Sequence, residues 1–241
     1  GGDIRLGGIN VAVADGVTLS ARGAFVNERA RGGDGSLPLV NGGSVTLAAN
    51  VSLIDGVYVN RGTVTLGQDV SIDVSGGALI DKTGKVTAGK GGSIAITGYA
   101  VPGLAGTELL GYGLNQGGTL SVTSHTVDIG SGAPSGAFGH LQLDPLFFTQ
   151  GGFAQYNVTG LERLSVADNT VVRPVVTSRQ LRADALARPT GTAMADISTT
   201  LVKPDQDRPV ASIALNASQE GADTGTLRIG EGARVQVDAG G

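Results

Sequence analysis

Gly43-Ser44-Val45-Thr46-Leu47 decides the fold, because variants of it recur along the whole chain. The pattern is a glycine, a small or polar residue, then alternating apolar and polar positions. It appears as Gly2-Asp3-Ile4-Arg5-Leu6, Gly62-Thr63-Val64-Thr65-Leu66, Gly92-Ser93-Ile94-Ala95-Ile96 and Gly118-Thr119-Leu120-Ser121-Val122. Later copies are Gly139-His140-Leu141-Gln142-Leu143 and Gly225-Thr226-Leu227-Arg228-Ile229, and Ser212-Ile213-Ala214-Leu215 lacks the glycine. Alternation with period 2 and Val/Ile/Thr content mark each copy as a half-buried strand. The leading glycine suits a corner that needs φ > 0.

Copies beginning at Gly43, Gly62, Gly92, Gly118 and Gly139 are 19, 30, 26 and 21 residues apart. Further short strands follow inside a unit, such as Val70-Ser71-Ile72-Asp73-Val74 and Val235-Gln236-Val237. The texts Gly62 to Gly77 and Gly225 to Gly241 superpose with one inserted residue. Two or three short strands in so few residues fit one coil of a parallel β-helix, whose core forms only when coils stack. A β-sandwich with Gly-rich turns is the alternative. At about 25 residues per coil outside an insert at residues 177–209, the chain holds roughly eight coils and extends about 40 Å.

Composition agrees with a narrow aliphatic core. Glycine contributes 41 of 241 residues, aromatics are 4%, and Cys and Trp are absent, yet 40% of residues are hydrophobic. That excludes a disordered linker, and the missing G-X-Y period excludes collagen. The net charge of −4 is scattered, with no basic stripe for nucleic acid. Without cysteine there are no disulfides and no thiolate metal sites. No apolar run reaches membrane-spanning length. The Gly-Gly text at both ends reads as a segment of a longer chain.

The expected organisation is all-β. Residues 1–176 form coils with a loop excursion at about 21–41. Residues 177–209 form a partly helical insert, with helix formers over Arg179 to Ala187 stopped by Pro189. Residues 210–241 return to coils. The insert reads as a flap that shields the stack.

Searching for chemistry yields little. Asp69 and Asp73, flanking Ser71, are candidate paired carboxylates, but no nearby base or cation in the sequence tunes them. Ser124 and His125 are adjacent on a strand and point to opposite faces, so they cannot form a nucleophile–base pair. His140 stands apart, so no zinc set is apparent. Gly32-Gly33-Asp34-Gly35-Ser36 hints at calcium, but a single Asp cannot supply enough oxygens. Sequons occur at Asn50, Asn157 and Asn216. Phe147, Phe148, Phe153 and Tyr156 read as a local widening of the core, with a sugar-stacking platform as the alternative. Tyr99 and Tyr112 are the other candidates for sugar contact. No catalytic, cofactor or metal residue is assigned.

The run from Leu141 to Pro174 is the least generic text. It contains Phe147-Phe148, Gly151-Gly152-Phe153, Tyr156, Asn157-Val158-Thr159-Gly160 and a strand ending at Pro174. With Arg208-Pro209-Val210-Ala211-Ser212-Ile213-Ala214-Leu215, it resembles large bacterial exoproteins of the filamentous-haemagglutinin type. The resemblance spans most of the chain, and residues 139–241 carry nearly all of it. It implies a right-handed parallel β-helix in the rod of a secreted, surface-displayed adhesin. It also implies two-partner secretion through an outer-membrane β-barrel transporter, and attachment to host-cell or matrix glycans or proteins, or biofilm scaffolding. The N-terminal export domain of such proteins is not recognisable here. The expectation is therefore a non-enzymatic structural rod segment, able to stack end to end. A carbohydrate-binding or carbohydrate-cleaving domain on the same fold is the alternative.

Overall fold

A computed structural model describes residues 1–29, 39–54, 57–132, 135–218 and 225–237. The chain is all-β, built of short strands with a few single-turn helices. Among the described residues its main sheet holds eight strands, six of them in parallel succession: Asp3–Gly8, Ser44–Ala49, Ser93–Thr97, Thr119–Ile129, Gln155–Val166 and Ser212–Ala217. Asp3, Ser44, Ser93, Thr119, Gln155 and Ser212 are register partners in turn. The chain thus returns to the sheet after 41, 49, 26, 36 and 57 residues.

That spacing corrects the repeat read along the sequence. The Gly62 copy is not a main-sheet level, because Val64–Leu66 pairs with Val11–Val13 on another face. The Gly139 and Gly225 copies pair with the second halves of the long strands, His140 against Thr126 and Thr226 against Arg163. One phrase serves two faces, so counting phrases overcounts levels. Six main-sheet strands at about 4.8 Å rise only about 24 Å, well short of 40 Å.

In-register stacking makes ladders of like residues. Val45, Ile94, Leu120 and Tyr156 form one inward ladder, and Leu47, Ile96, Val122 and Val158 form the next; all are at most 2% exposed. Each buried aliphatic side chain contributes about 1.5–3 kcal/mol by leaving water. Outward positions carry hydroxyls and amides that bond between levels. Ser44 Oγ donates to Asp3 Oδ1 at 2.6 Å, Thr119 Oγ1 to Gln155 Oε1 at 2.9 Å, and Asn157 Nδ2 to Ser121 Oγ at 3.1 Å. Further parallel pairing joins Thr18–Ser20, Ser71–Asp73 and Glu108–Leu110, and joins Phe25–Asn27 to Ala78–Ile80.

Of the phrase glycines, Gly139 takes the expected positive φ, and most of the others serve a different purpose. Gly43, Gly62, Gly92 and Gly118 do not have positive φ. They are crowded: a Cβ on Gly43 would lie 1.8 Å from the Gly2 carbonyl oxygen, and one on Gly92 would lie 1.9 Å from that of Gly43. The partner glycine of each pair faces across the corner, Gly42 toward Val74 O at 1.8 Å and Gly91 toward Gly111 O at 2.0 Å. Gly-Gly pairs mark a corner too narrow for any side chain. Positive φ occurs at other turns, where Gly16, Asp69, Asn169 and Gly232 each take the left-handed conformation. Asp and Asn side chains also tie successive turns together: Asp15 Oδ1 accepts from Gln68 N at 2.8 Å, and Asp168 Oδ1 from Glu231 N at 3.0 Å.

The excursions differ from expectation in detail. Within 21–41, Phe25–Asn27 is a paired strand, and residues 30–38, including Asp34, lie outside the described residues. Only the second half of residues 179–187 is helical. Thr177–Leu181 pairs antiparallel with Ser198–Val202, followed by a 3₁₀ helix over Ala183–Ala187, and among the described residues the only α-turn is Met194–Ile197. Pairing satisfies the 177–181 backbone, overriding local helix propensity. The insert is clamped onto the stack by buried Asn27, whose Nδ2 donates to Leu186 O and Arg188 O while its backbone N–H donates to Thr190 Oγ1. Met194, Ile197 and Ala185 close a second core over Phe25, Ala78, Ile80 and Leu114. An unforeseen hairpin, Val51–Ile54 with Val57–Arg61, leaves the main sheet between two levels.

Alanine at Gly92 must push backbone apart, whereas a Cβ at Gly2 meets nothing within 4 Å. Urea unfolding is therefore expected to show Gly92→Ala destabilised by about 3 kcal/mol or more and Gly2→Ala unchanged.

Candidate functional site

Two constellations assemble residues that are distant in sequence. The first lies where the main sheet bends into its neighbouring face. Ser124 pairs with Gly160 but Thr126 pairs with Arg163, so His125 faces two residues, Leu161 and Glu162. Gly160 permits this bulge, since a Cβ there would lie 2.0 Å from Arg163 O. The bulge sets His125 Nε2 2.6 Å from Glu162 Oε2. Tyr99 stacks on the imidazole at 4.2 Å and 15°, and Tyr58 of the hairpin meets both rings edge-on at 5.1 Å. Phe138 also stacks on Tyr99, at 5.4 Å, and the Arg61 guanidinium lies over the Tyr99 ring at 5.3 Å. Gly139, at φ +84°, makes the Phe138 approach possible, because a Cβ there would lie 2.7 Å from Tyr99 Cε1.

Burial among these rings lowers the His125 pKa. The Glu162 carboxylate opposes the shift, and His140 and Arg61 add to it. Burial wins because the Glu162 side chain is 58% exposed and screened by water, whereas His125 is 13% exposed. His125 Nδ1 is buried without a hydrogen-bond partner. Ser124 points inward, its Oγ donating to Tyr99 O at 3.2 Å, so the fold keeps serine and histidine on opposite faces. His140 lies beside Asp128 at 3.6 Å, which also binds Arg163 and Ser165. This cluster pins the hairpin to the stack through Tyr58 and Arg61.

The second constellation lies beneath the insert. A cavity of about 210 Å³ opens between the ends of the stacked strands and the 191–195 segment, lined by Arg22, Asp73, Ser75, Leu110, Arg179 and Met194 among others. Asp73 Oδ1 accepts from Ser75 N at 2.8 Å, and Arg179 lies 5.1 Å over the Tyr112 ring. Burial lowers the Arg179 pKa, opposed by Asp73 and reinforced by the nearby Arg22. Asp73 therefore does have cationic neighbours, supplied from 51 positions before and 106 after. A wider groove on the other side of the insert is lined by Leu114, Arg179, Lys203 and Asp207.

The remaining candidates fall as follows. Asp69 sits in an exposed left-handed turn, and Ser71 Oγ donates to Glu108 Oε2 at 2.8 Å. Phe148, Phe153 and Tyr156 are core, each at most 1% exposed, and Phe147 packs against them. Asn50, Asn157 and Asn216 are exposed. Among the described residues no group of three or more His, Asp or Glu side chains is arranged to hold a metal ion. Among the described residues no helix is long and apolar enough to cross a membrane. No protein-family model, curated protein or solved structure matches this chain.

The lowered His125 pKa sets a sign. The unfolded chain binds the His125 proton more tightly than the folded one, so stability is complete above the unfolded value of about 6.5 and declines as pH falls below it. Thermal melts from pH 7.5 to 5 are expected to show this decline in the wild type and a shallower one in His125→Gln.

Proposed function

We propose that this chain is a right-handed parallel β-helix forming a structural rod segment of an exported bacterial surface adhesin. The observation that carries the reading is the parallel main sheet, in register from level to level apart from the bulge opposite His125, with inward ladders that are mostly aliphatic and outward ladders that are mostly polar. Such a stack resists bending because every level is joined to its neighbours by backbone hydrogen bonds along its length. It presents a uniform polar side and displays excursions from a rigid frame, the usual division of labour between scaffold and loop. The sequence resemblance to filamentous-haemagglutinin-type exoproteins points the same way and supplies the export route, a dedicated outer-membrane β-barrel partner. Attachment to cell or matrix glycans or proteins would then belong to the excursions.

Turnover is not part of this reading. Hydrolysis of a glycosidic bond uses two carboxylates facing one cleft, and each groove flanking the insert carries one, Asp73 in the first and Asp207 in the second.

Antibodies raised against the segment are expected to label intact cells that make the protein. Labelling only after lysis would overturn surface display. Incubation with a polysaccharide panel is expected to release no new sugar ends, and their appearance would replace the rod reading with an enzyme.

The outermost strands support self-association. Among the described residues Thr226–Ile229 pairs on one edge only, and Leu227 and Ile229 are about half exposed, as is Leu6 at the opposite end to a lesser degree. Unpaired edges of this kind accept another strand. Light scattering is expected to rise with concentration for the wild type and to stay at the monomer value for Leu227→Lys/Ile229→Lys.

A further inference from the structure

We propose that the cavity beneath the insert is a binding site for a single uronic-acid sugar, held by its carboxylate and its ring hydroxyls. The cavity brings together Arg22, Arg179, Asp73, Ser75, Leu110 and Met194 from five separate stretches of chain. Two guanidiniums against one carboxylate leave one positive charge in excess at the lining. Arg22 is exposed at the rim and has no ion pair or hydrogen bond with any described residue. Its planar fork is suited to a ligand carboxylate.

Asp73 distinguishes the ligand from a simple anion. A site for sulfate or phosphate gains nothing from a carboxylate in its wall, which repels the ligand. A polyhydroxylated acid uses both signs: the guanidiniums take its carboxylate, and Asp73 accepts protons from its hydroxyls. One Asp73 oxygen is occupied by Ser75 N–H, leaving the other to accept. Ser75 Oγ already accepts from Tyr112 N at 3.2 Å, so its own proton is left to donate. Leu110 and Met194 supply the apolar wall for the C–H face of a sugar ring. The volume of about 210 Å³ admits one small ring and is below the usual range for larger ligands. Asn27 holds the roof in place through the insert backbone, so the site is built before any ligand arrives. The proposal does not rest on the rod reading, since the cavity would bind the same sugar in a chain displayed anywhere.

The test is titration of the purified chain with glucuronate and galacturonate, followed by NMR chemical shifts, with glucose, acetate and sulfate as comparison probes. At least one uronate is expected to saturate and to bind about tenfold or more tightly than glucose, the increment of one charge-assisted contact. Arg22→Gln, at an exposed rim position, is expected to fold normally and to weaken the uronate about tenfold. Asp73→Asn is expected to retain acetate binding while losing the preference for the uronate over acetate. The absence of saturable uronate binding, glucose binding equally well, or an unchanged affinity in Arg22→Gln would each overturn the site. Acetate or sulfate matching the uronate in the wild type would overturn the sugar as its ligand. Neither outcome depends on surface display, so failure of this site and failure of the rod reading are separable.

Discussion

Parallel in-register pairing governs this molecule through the distance it imposes. Neighbouring levels are separated by one backbone hydrogen bond, so whatever a position carries on one level must fit the same position on the next. Inward positions become aliphatic ladders, since equal-sized side chains stack without voids. Outward positions become ladders of Ser, Thr, Asn and Gln that bond across levels. At the corners that lead into Ser44 and Ser93, backbone meets backbone so closely that Gly43 and Gly92 have no room for a Cβ. The Gly-Gly pairs follow from that contact, and the high glycine content follows from repeating it.

Departures from regular stacking are where the chemistry collects. The bulge opposite His125 lets Glu162 reach the imidazole, and the hairpin bearing Tyr58 and Arg61 covers the rings that the bulge exposes. The widened level at Tyr156 is filled by Phe148 and Phe153. The insert leaves the stack, covers Phe25 and Ile80 with Met194 and Ile197, and in doing so roofs a cavity over Asp73. A uniform stack provides stiffness and a polar side; each interruption adds a local site at the cost of regularity.

Strand identity was legible because period-2 alternation is a local signal: Val64–Leu66 and Thr226–Ile229 fall within the phrases that mark them, and Ser93–Thr97 runs one residue past its own. Face assignment was not legible, because the same phrase serves the main sheet at Ser44 and the adjoining face at Val64. The corner glycines were recognisable as corners, but the reason for them was not. Positive φ is a property of one residue, whereas the observed crowding belongs to two levels. The strand at Thr177–Leu181 was hidden beneath good helix formers, since its partner, Ser198–Val202, is supplied only by the fold. Asp73 looked isolated for the same reason: Arg22 and Arg179 are remote in sequence and adjacent only across the cavity.

Local pattern alone therefore determined that this chain is all-β, aliphatic-cored, built of repeated short strands with Gly-Gly corners, and placed its aromatic run in the core. Those properties depend on residues within a few positions of one another. Tertiary structure decided which face each strand joins, how many levels the main sheet has, that residues 177–209 pair and roof a cavity, and which charges meet at Asp73 and His125. Those properties depend on contacts between residues tens to more than a hundred positions apart, and no period in the text encodes them.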